Sequence, residues 1–157
     1  PRPGGEALPE LAELPLADRV RGEMAATGLW FSAHPLAALA PPGARRGCVP
    51  AASLAGHAGA RVSVCGLPCA SRRVEARSGG SVQFVTLADE SGLAECVLFP
   101  GAYRRLGPAM RGAIVRASGR VDESLGALTL VVERAGVVVA EGADAARPAP
   151  GAGAAVA

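Results

Sequence analysis

From residue 60 onward the apolar side chains recur at every second position, in five short runs that end near residue 139. A period of two belongs to strands with one face turned inward, and strands this short must close on themselves or pack on something to hide their edges. In the first run Val62 and Val64 alternate with Arg61 and Ser63, and the strand continues, bent, to about Glu75. Ser78-Gly79-Gly80-Ser81 makes a hairpin loop, and residues 82–88 (VQFVTLA) form a second strand. Asp89-Glu90-Ser91-Gly92 is a tight turn in which Gly92 can take positive φ, and residues 93–99 form a third strand. A short helix from Gly101 to Leu106 places Tyr103, Leu106 and Met110 on one side and ends at Gly107-Pro108. Residues 113–122 and 127–139 complete the set.

Strand, strand, strand, short helix, strand, strand is the plan of the OB-fold, a five-stranded Greek-key barrel that takes its ligand across strands two and three. An SH3-like barrel or a split sandwich shares the strand count, and the helix after the third strand favours the OB plan. The chain is therefore expected to be mainly β, with a short helical hinge in front. Residues 18–28 read as a helix with Asp18 as its cap, Leu16, Val20 and Met24 on one stripe, and Gly28 as its stop. His34-Pro35 opens a second helix whose inner side is Leu36 and Leu39, and Pro41-Pro42-Gly43 ends it. Trp30 and Phe31 are expected to latch this hinge to the barrel. The expected division is a weakly structured lead-in (1–17), hinge and connector (18–59), an OB-fold nucleic-acid-binding domain (60–139) and a disordered tail (140–157).

Charge is distributed unevenly. Residues 61–120 hold nine Arg against Glu75, Asp89, Glu90 and Glu95, whereas residues 1–30 and 121–157 are each net acidic. A basic middle suits a polyanionic partner, although a solvated basic face would look the same. All basic residues are Arg, as a GC-rich genome favours. Cys48, Cys65, Cys69 and Cys96 have no CxxC spacing, so no zinc site is expected. No secretory leader is visible, and the cysteines read as small hydrophobes of a cytoplasmic protein. No apolar run has the length of a membrane span. The chain begins at Pro1 rather than Met, which predicts a piece of a longer protein or a processed one.

Catalytic constellations are not found. Asp89-Glu90 lies in a turn, and the adjacent pair Asp122-Glu123 would point to opposite faces of a strand, so neither can hold two metal ions. His34 and His57 have no partner spacing, and there is no phosphate-binding Gly loop. No catalytic residue, metal or cofactor is expected in this chain. Binding chemistry remains. Alternation puts Val85 and Leu87 inward with Phe84 and Thr86 outward, and Ala94, Cys96 and Leu98 inward with Glu95 and Val97 outward. An outward ring can stack on any base. Arg72, Arg73 and Arg77 flank the first hairpin, where guanidinium forks can reach phosphates. Arg61 starts the first strand, and Arg116 and Arg120 share a face of the fourth. Phe84 could instead plug the barrel end, and Glu95 could be merely solvated.

Several of these residues carry a resemblance. Phe84-Val85-Thr86-Leu87-Ala88-Asp89, Ser91-Gly92, Glu95-Cys96-Val97-Leu98-Phe99-Pro100, Tyr103 and Gly119-Arg120-Val121 resemble the OB domain of the bacterial DNA polymerase III α subunit, the C-family polymerase. The stretch from Thr27 to Leu36, with its His-Pro-Leu triplet, is similar to the hinge before that domain. Arg46 to Ala51, followed by Leu54, is similar to the error-prone branch. The resemblance implies a single-stranded template-DNA-binding region, at the C-terminal side of an enzyme whose palm and other catalytic domains are not matched here. Partners would be the rest of a polymerase and other replication or translesion proteins. In the related OB domains of class II aminoacyl-tRNA synthetases, the position similar to Phe84 stacks on a base and that similar to Glu95 reads a base edge. A stand-alone DNA- or RNA-binding module of the tRNA-anticodon type, or a barrel that only docks replication partners, stays open.

Overall fold

Five strands close into one barrel in the computed structural model, which describes residues 12–76, 79–124 and 127–140. The strands are β1 (Arg61–Glu75), β2 (Ser81–Ala88), β3 (Leu93–Leu98), β4 (Ile114–Asp122) and β5 (Thr129–Val139), arranged in the closed order β1-β2-β3-β5-β4. β1 is long enough to serve twice. Arg61 to Gly66 pair with β4, and Leu67 to Glu75 pair with β2. The β1–β2 register shifts between Pro68 and Ala70, where the proline without an N–H tolerates a break in the ladder. β3 and β5 close the barrel in parallel, through Cys96 with Leu130 and Val97 with Val131, whereas the other pairs are antiparallel.

The inward set is small and aliphatic. Val64, Val85, Leu87, Ala94, Cys96, Leu98, Val115, Ala117, Val121, Leu130 and Val132 form one buried cluster. Burying such a side chain contributes about 1.5–3 kcal/mol. Helix α3 (Pro100–Leu106) and a short 3₁₀ turn (Ala109–Arg111) bring Leu106 and Met110 to the end of the barrel where β3 finishes. A 3₁₀ helix over Ala51–His57 brings Ala51 and Leu54 to the end where β3 begins. That helix lies in a stretch expected to be a plain connector. Its Ala- and Gly-rich sequence carries no period, and only its place against the barrel gives it structure.

The hinge differs from expectation in three places. Helix α1 spans Leu16–Thr27, so Asp18 lies in its first turn instead of capping it. Pro15 holds the cap position, and Asp18 pairs with Arg21 at 2.9 Å. Val20 and Met24 are buried, but Leu16, the first residue of the helix, is exposed. Gly28, at φ 72°, stops the helix as expected. Trp30 packs edge-on to His34, with ring centroids 5.3 Å apart, while Phe31 is 71% exposed. Phe31 is therefore no latch. The Glu23 carboxylate fixes this loop instead, accepting from the Phe31 and Ser32 amides at 2.8 and 3.0 Å and from the Ser32 hydroxyl.

Helix α2 (Pro35–Leu39) begins with His34 as its cap, whose Nδ1 accepts from the Leu36 amide at 3.1 Å. Leu36 packs with Cys65 and Ile114 on the outside of β1 and β4. The expected tail lies outside the described residues from 141 onward, as do residues 1–11 of the expected lead-in. No helix among the described residues is long and apolar enough to cross a membrane.

Candidate nucleic-acid interface

The outward residues of β1, β2 and β3 meet in one cluster because the strand registers bring them opposite each other. Arg72 faces Phe84 across β1–β2, Phe84 faces Val97 across β2–β3, and Thr86 faces Glu95. Phe84 is half-buried and lies outside the barrel core, so it is not a barrel plug. Val97 points outward but is fully buried between Phe84 and Val131, its neighbours in register. Arg72 sits over the Phe84 ring, its Cζ 4.0 Å from the ring centroid, and its Nη2 lies 3.4 Å from Glu95 Oε1. The guanidinium is thus held between a ring and a carboxylate. An exposed cation–π contact contributes about 0.5–1 kcal/mol, little enough for a ligand to displace.

This geometry changes what the ring can do. The outward alternation alone leaves Phe84 bare, but in the folded chain one of its faces is covered by Arg72. A base can stack on the outer face of the guanidinium, or replace it on the ring. In the second case it frees the Arg72 charge for a phosphate and leaves Glu95 free to accept from a base amine.

Arg73 turns the other way. It faces Gln83, on the inward side of the sheet, and its Nη1 donates to the Tyr103 hydroxyl of α3 at 3.1 Å. Arg72 and Arg73 therefore serve different surfaces. Arg77 lies outside the described residues. Phe99, two positions beyond Val97, is exposed, as is Val74, two positions beyond Arg72. Both extend the apolar part of this surface, and the strand period alone could have pointed to them.

Asp89, Glu90 and Asp122, near the barrel ends, are occupied structurally. Asp89 Oδ2 accepts from the Ala51 amide at 2.8 Å, and Oδ1 accepts from the Ser91 amide, the Ser91 hydroxyl and the Gly92 amide at 2.7, 2.6 and 3.0 Å. Burial pushes this carboxyl up, but the hydrogen bonds outweigh it and hold Asp89 below the usual carboxylate range. Glu90 is paired with Arg45 at 2.8 Å, and Asp122 Oδ1 accepts from the Ser124 amide at 2.7 Å. Burial raises the thiols of Cys65 to about 11 and Cys96 to about 12, which keeps both protonated. Cys48 and Cys69 are half-buried.

Comparison with known proteins agrees with the barrel fold. Residues 62–138 match the model of the tRNA-anticodon family, described as an OB-fold nucleic acid binding domain. The chain is 30% identical over 127 residues to DNA polymerase III subunit alpha of Bacillus subtilis, a match that covers 80% of this chain and 11% of that protein. It is 38% identical over 121 residues to an error-prone DNA polymerase of Anaeromyxobacter dehalogenans (75% of this chain, 10% of that one). It is 33% identical over 128 residues to that of Mesorhizobium japonicum (80% and 11%). The chain thus spans about a tenth of the length of these relatives. It is an OB-fold nucleic-acid-binding domain, with its helical lead-in, homologous to the OB region of DNA polymerase III α subunits and error-prone DNA polymerases.

Proposed function

We propose that this chain holds single-stranded template DNA for a C-family DNA polymerase, in replication or translesion synthesis. The observation that carries the reading is the outward Arg72–Phe84–Glu95 cluster on the β1–β2–β3 face of a domain homologous to polymerase OB regions. Phe84 supplies the stacking surface, Arg72 the phosphate contact, and Glu95 with Thr86 the polar edge beside them. Arg73, drawn to Tyr103, belongs to the barrel end. Stacking needs unpaired bases, so duplex should bind more weakly than a single strand.

The test is fluorescence anisotropy with single-stranded DNA, the same sequence as RNA, and duplex, each titrated across salt. Base stacking contributes roughly 1–3 kcal/mol per base, so Phe84→Ala should weaken single-stranded DNA binding about 5- to 150-fold at nearly constant salt slope. Arg72→Ala should lower the magnitude of the log–log salt slope by about 0.7. Melting curves must stay close to wild type, because Phe84 is outside the core. Tighter binding to RNA than to DNA would favour an RNA-binding module of the tRNA-anticodon type. Binding that ignores both substitutions would move the site off this face.

A further inference from the structure

The outer surface of the barrel carries a second group of arginines, joined to the Phe84 cluster by the strand register. Arg72 faces Phe84, Phe84 faces Val97, Val97 faces Val131, Val131 faces Arg120, and Arg120 faces Arg61. Directly paired residues on adjacent strands stand about 4.7–4.9 Å apart in the hydrogen-bonding direction. Three such steps separate Phe84 on β2 from Arg120 on β4, about 14 Å along the surface.

At the far end of this row, positive charge is in excess. Arg61 and Arg120 oppose each other directly, a pairing unfavourable by itself. One acid answers it. Arg61 Nε donates to both oxygens of Glu133 at 3.2 and 3.1 Å. That hydrogen bond, with the charges of Arg61, Arg134 and Arg120, holds the Glu133 carboxyl below its usual range.

Glu133 is placed here by a slip in the β4–β5 ladder. Gly119 faces Val132 and Ser118 faces Arg134, so Glu133 has no partner on β4. The strands approach so closely at the slip that a β-carbon at position 119 would stand 1.8 Å from the Val131 carbonyl oxygen, and only glycine fits. Arg116, Arg120 and Arg134 have no carboxylate within salt-bridge distance among the described residues. Arg116, Ser118 and Arg134 line a shallow recess of about 250 Å³ whose walls include no aromatic ring. Beside it the hydroxyls of Ser63 and Ser118 are 2.7 Å apart.

We propose that a DNA single strand seated at Phe84 continues along this row onto the β4–β5 side, where Arg116, Arg120 and Arg134 hold its phosphates. This rests on the reading of the Phe84 face as the single-strand site. The two ends of the path differ in chemistry. The Phe84 end stacks bases, while the far end has charge and hydroxyl donors with nothing to stack on, so it grips the backbone without regard to sequence. The far contact is available only to a strand long enough to cross three strands of the barrel.

The experiment compares oligo-dT of about 2 and about 15 nucleotides; at about 3.4 Å per nucleotide along a strand, the first falls well short of the row and the second spans it. Binding to the full chain is read by anisotropy across salt, with melting curves for each variant. The triple variant R116A/R120A/R134A should weaken the 15-mer and reduce the magnitude of its salt slope by about 2, at about 0.7 per phosphate contact. It should leave the dinucleotide within about twofold, since a strand that short covers only the Phe84 end of the row. If the triple variant melts early, Arg134→Gln alone repeats the measurement at an exposed position, with a slope change of about 0.7 for the 15-mer. A 15-mer that ignores these changes, or a loss equal at both lengths, overturns the proposal. If Phe84→Ala weakens both oligonucleotides while the arginine variants affect neither, this inference fails and the Phe84 reading stands. If Phe84→Ala affects neither, the Phe84 reading fails and this inference with it.

Discussion

Arg72 and Arg73 are adjacent on β1, and adjacent residues of a strand project to opposite sides. Arg72 meets Phe84 and Glu95, whereas Arg73 meets Tyr103. Their contributions to binding should therefore be unequal. Arg73→Ala should leave the salt slope of single-stranded DNA binding unchanged, while Arg72→Ala lowers its magnitude by about 0.7. Equal slope changes in paired salt titrations would return Arg73 to the interface. The charge on Arg72 is also partly shared with Glu95 in the free protein. Removing that carboxylate, as in Glu95→Gln, would release Arg72 toward phosphate, at the loss of an acceptor for a base amine.

At the scale of elements, Asp89 joins the 3₁₀ helix over Ala51–His57 to the turn between β2 and β3. Asp89 is the last residue of the strand-two run that carries the polymerase resemblance, and its part in this fold is architectural. A carboxylate held below its ordinary range binds fewer protons when folded than when unfolded. Its contribution to stability is present above the unfolded value, near 3.9, and is lost as pH falls through the folded value. Asp89→Asn should destabilise the barrel at pH 7 by about 1–3 kcal/mol, as hydrogen bonds to a charged group allow. In thermal melts from pH 7 to pH 2 the gap between the two proteins should narrow below about pH 4. A gap that stays constant to pH 2 would assign the Asp89 contacts no charge component. His34 acts in a different window. Burial lowers its pKa, so the stability contributed by the neutral cap is full above the ordinary histidine value and is lost as pH falls through the lowered folded value.

The molecule as a whole joins a basic barrel to a hinge packed on its outside. Leu36 of α2 covers the Cys65 and Ile114 end of the β1–β4 face, next to Arg116. Asp89 and Asp122 are spent on backbone amides and Glu90 on Arg45. Among the described residues no three His, Cys, Asp or Glu side chains gather to hold a metal. The function proposed above is template binding alone. Purified protein with primed template, Mg²⁺ and nucleotides should give no extension product, and metal-dependent extension that co-purifies with the chain would overturn this.

Alternation along β2 and β3 settled from the sequence which side chains enter the core, because a pleated backbone turns successive residues to opposite faces wherever the strand lies. Val85, Leu87, Ala94, Cys96 and Leu98 are buried and Phe84, Thr86 and Glu95 face outward for that reason. The order of strands and helix was likewise legible, since turns and periods are local. What stands beside what was not. Register is a long-range property, and it alone lays Arg72 on Phe84, sets Arg120 against Arg61 and places the slip at Gly119 that brings Glu133 among three arginines. The 3₁₀ helix over Ala51–His57 exists because the mouth of the barrel and Asp89 receive it, and Phe31 is exposed because Glu23 holds the loop around it. Local pattern determined the faces of this protein, and only barrel closure decided which residues share them.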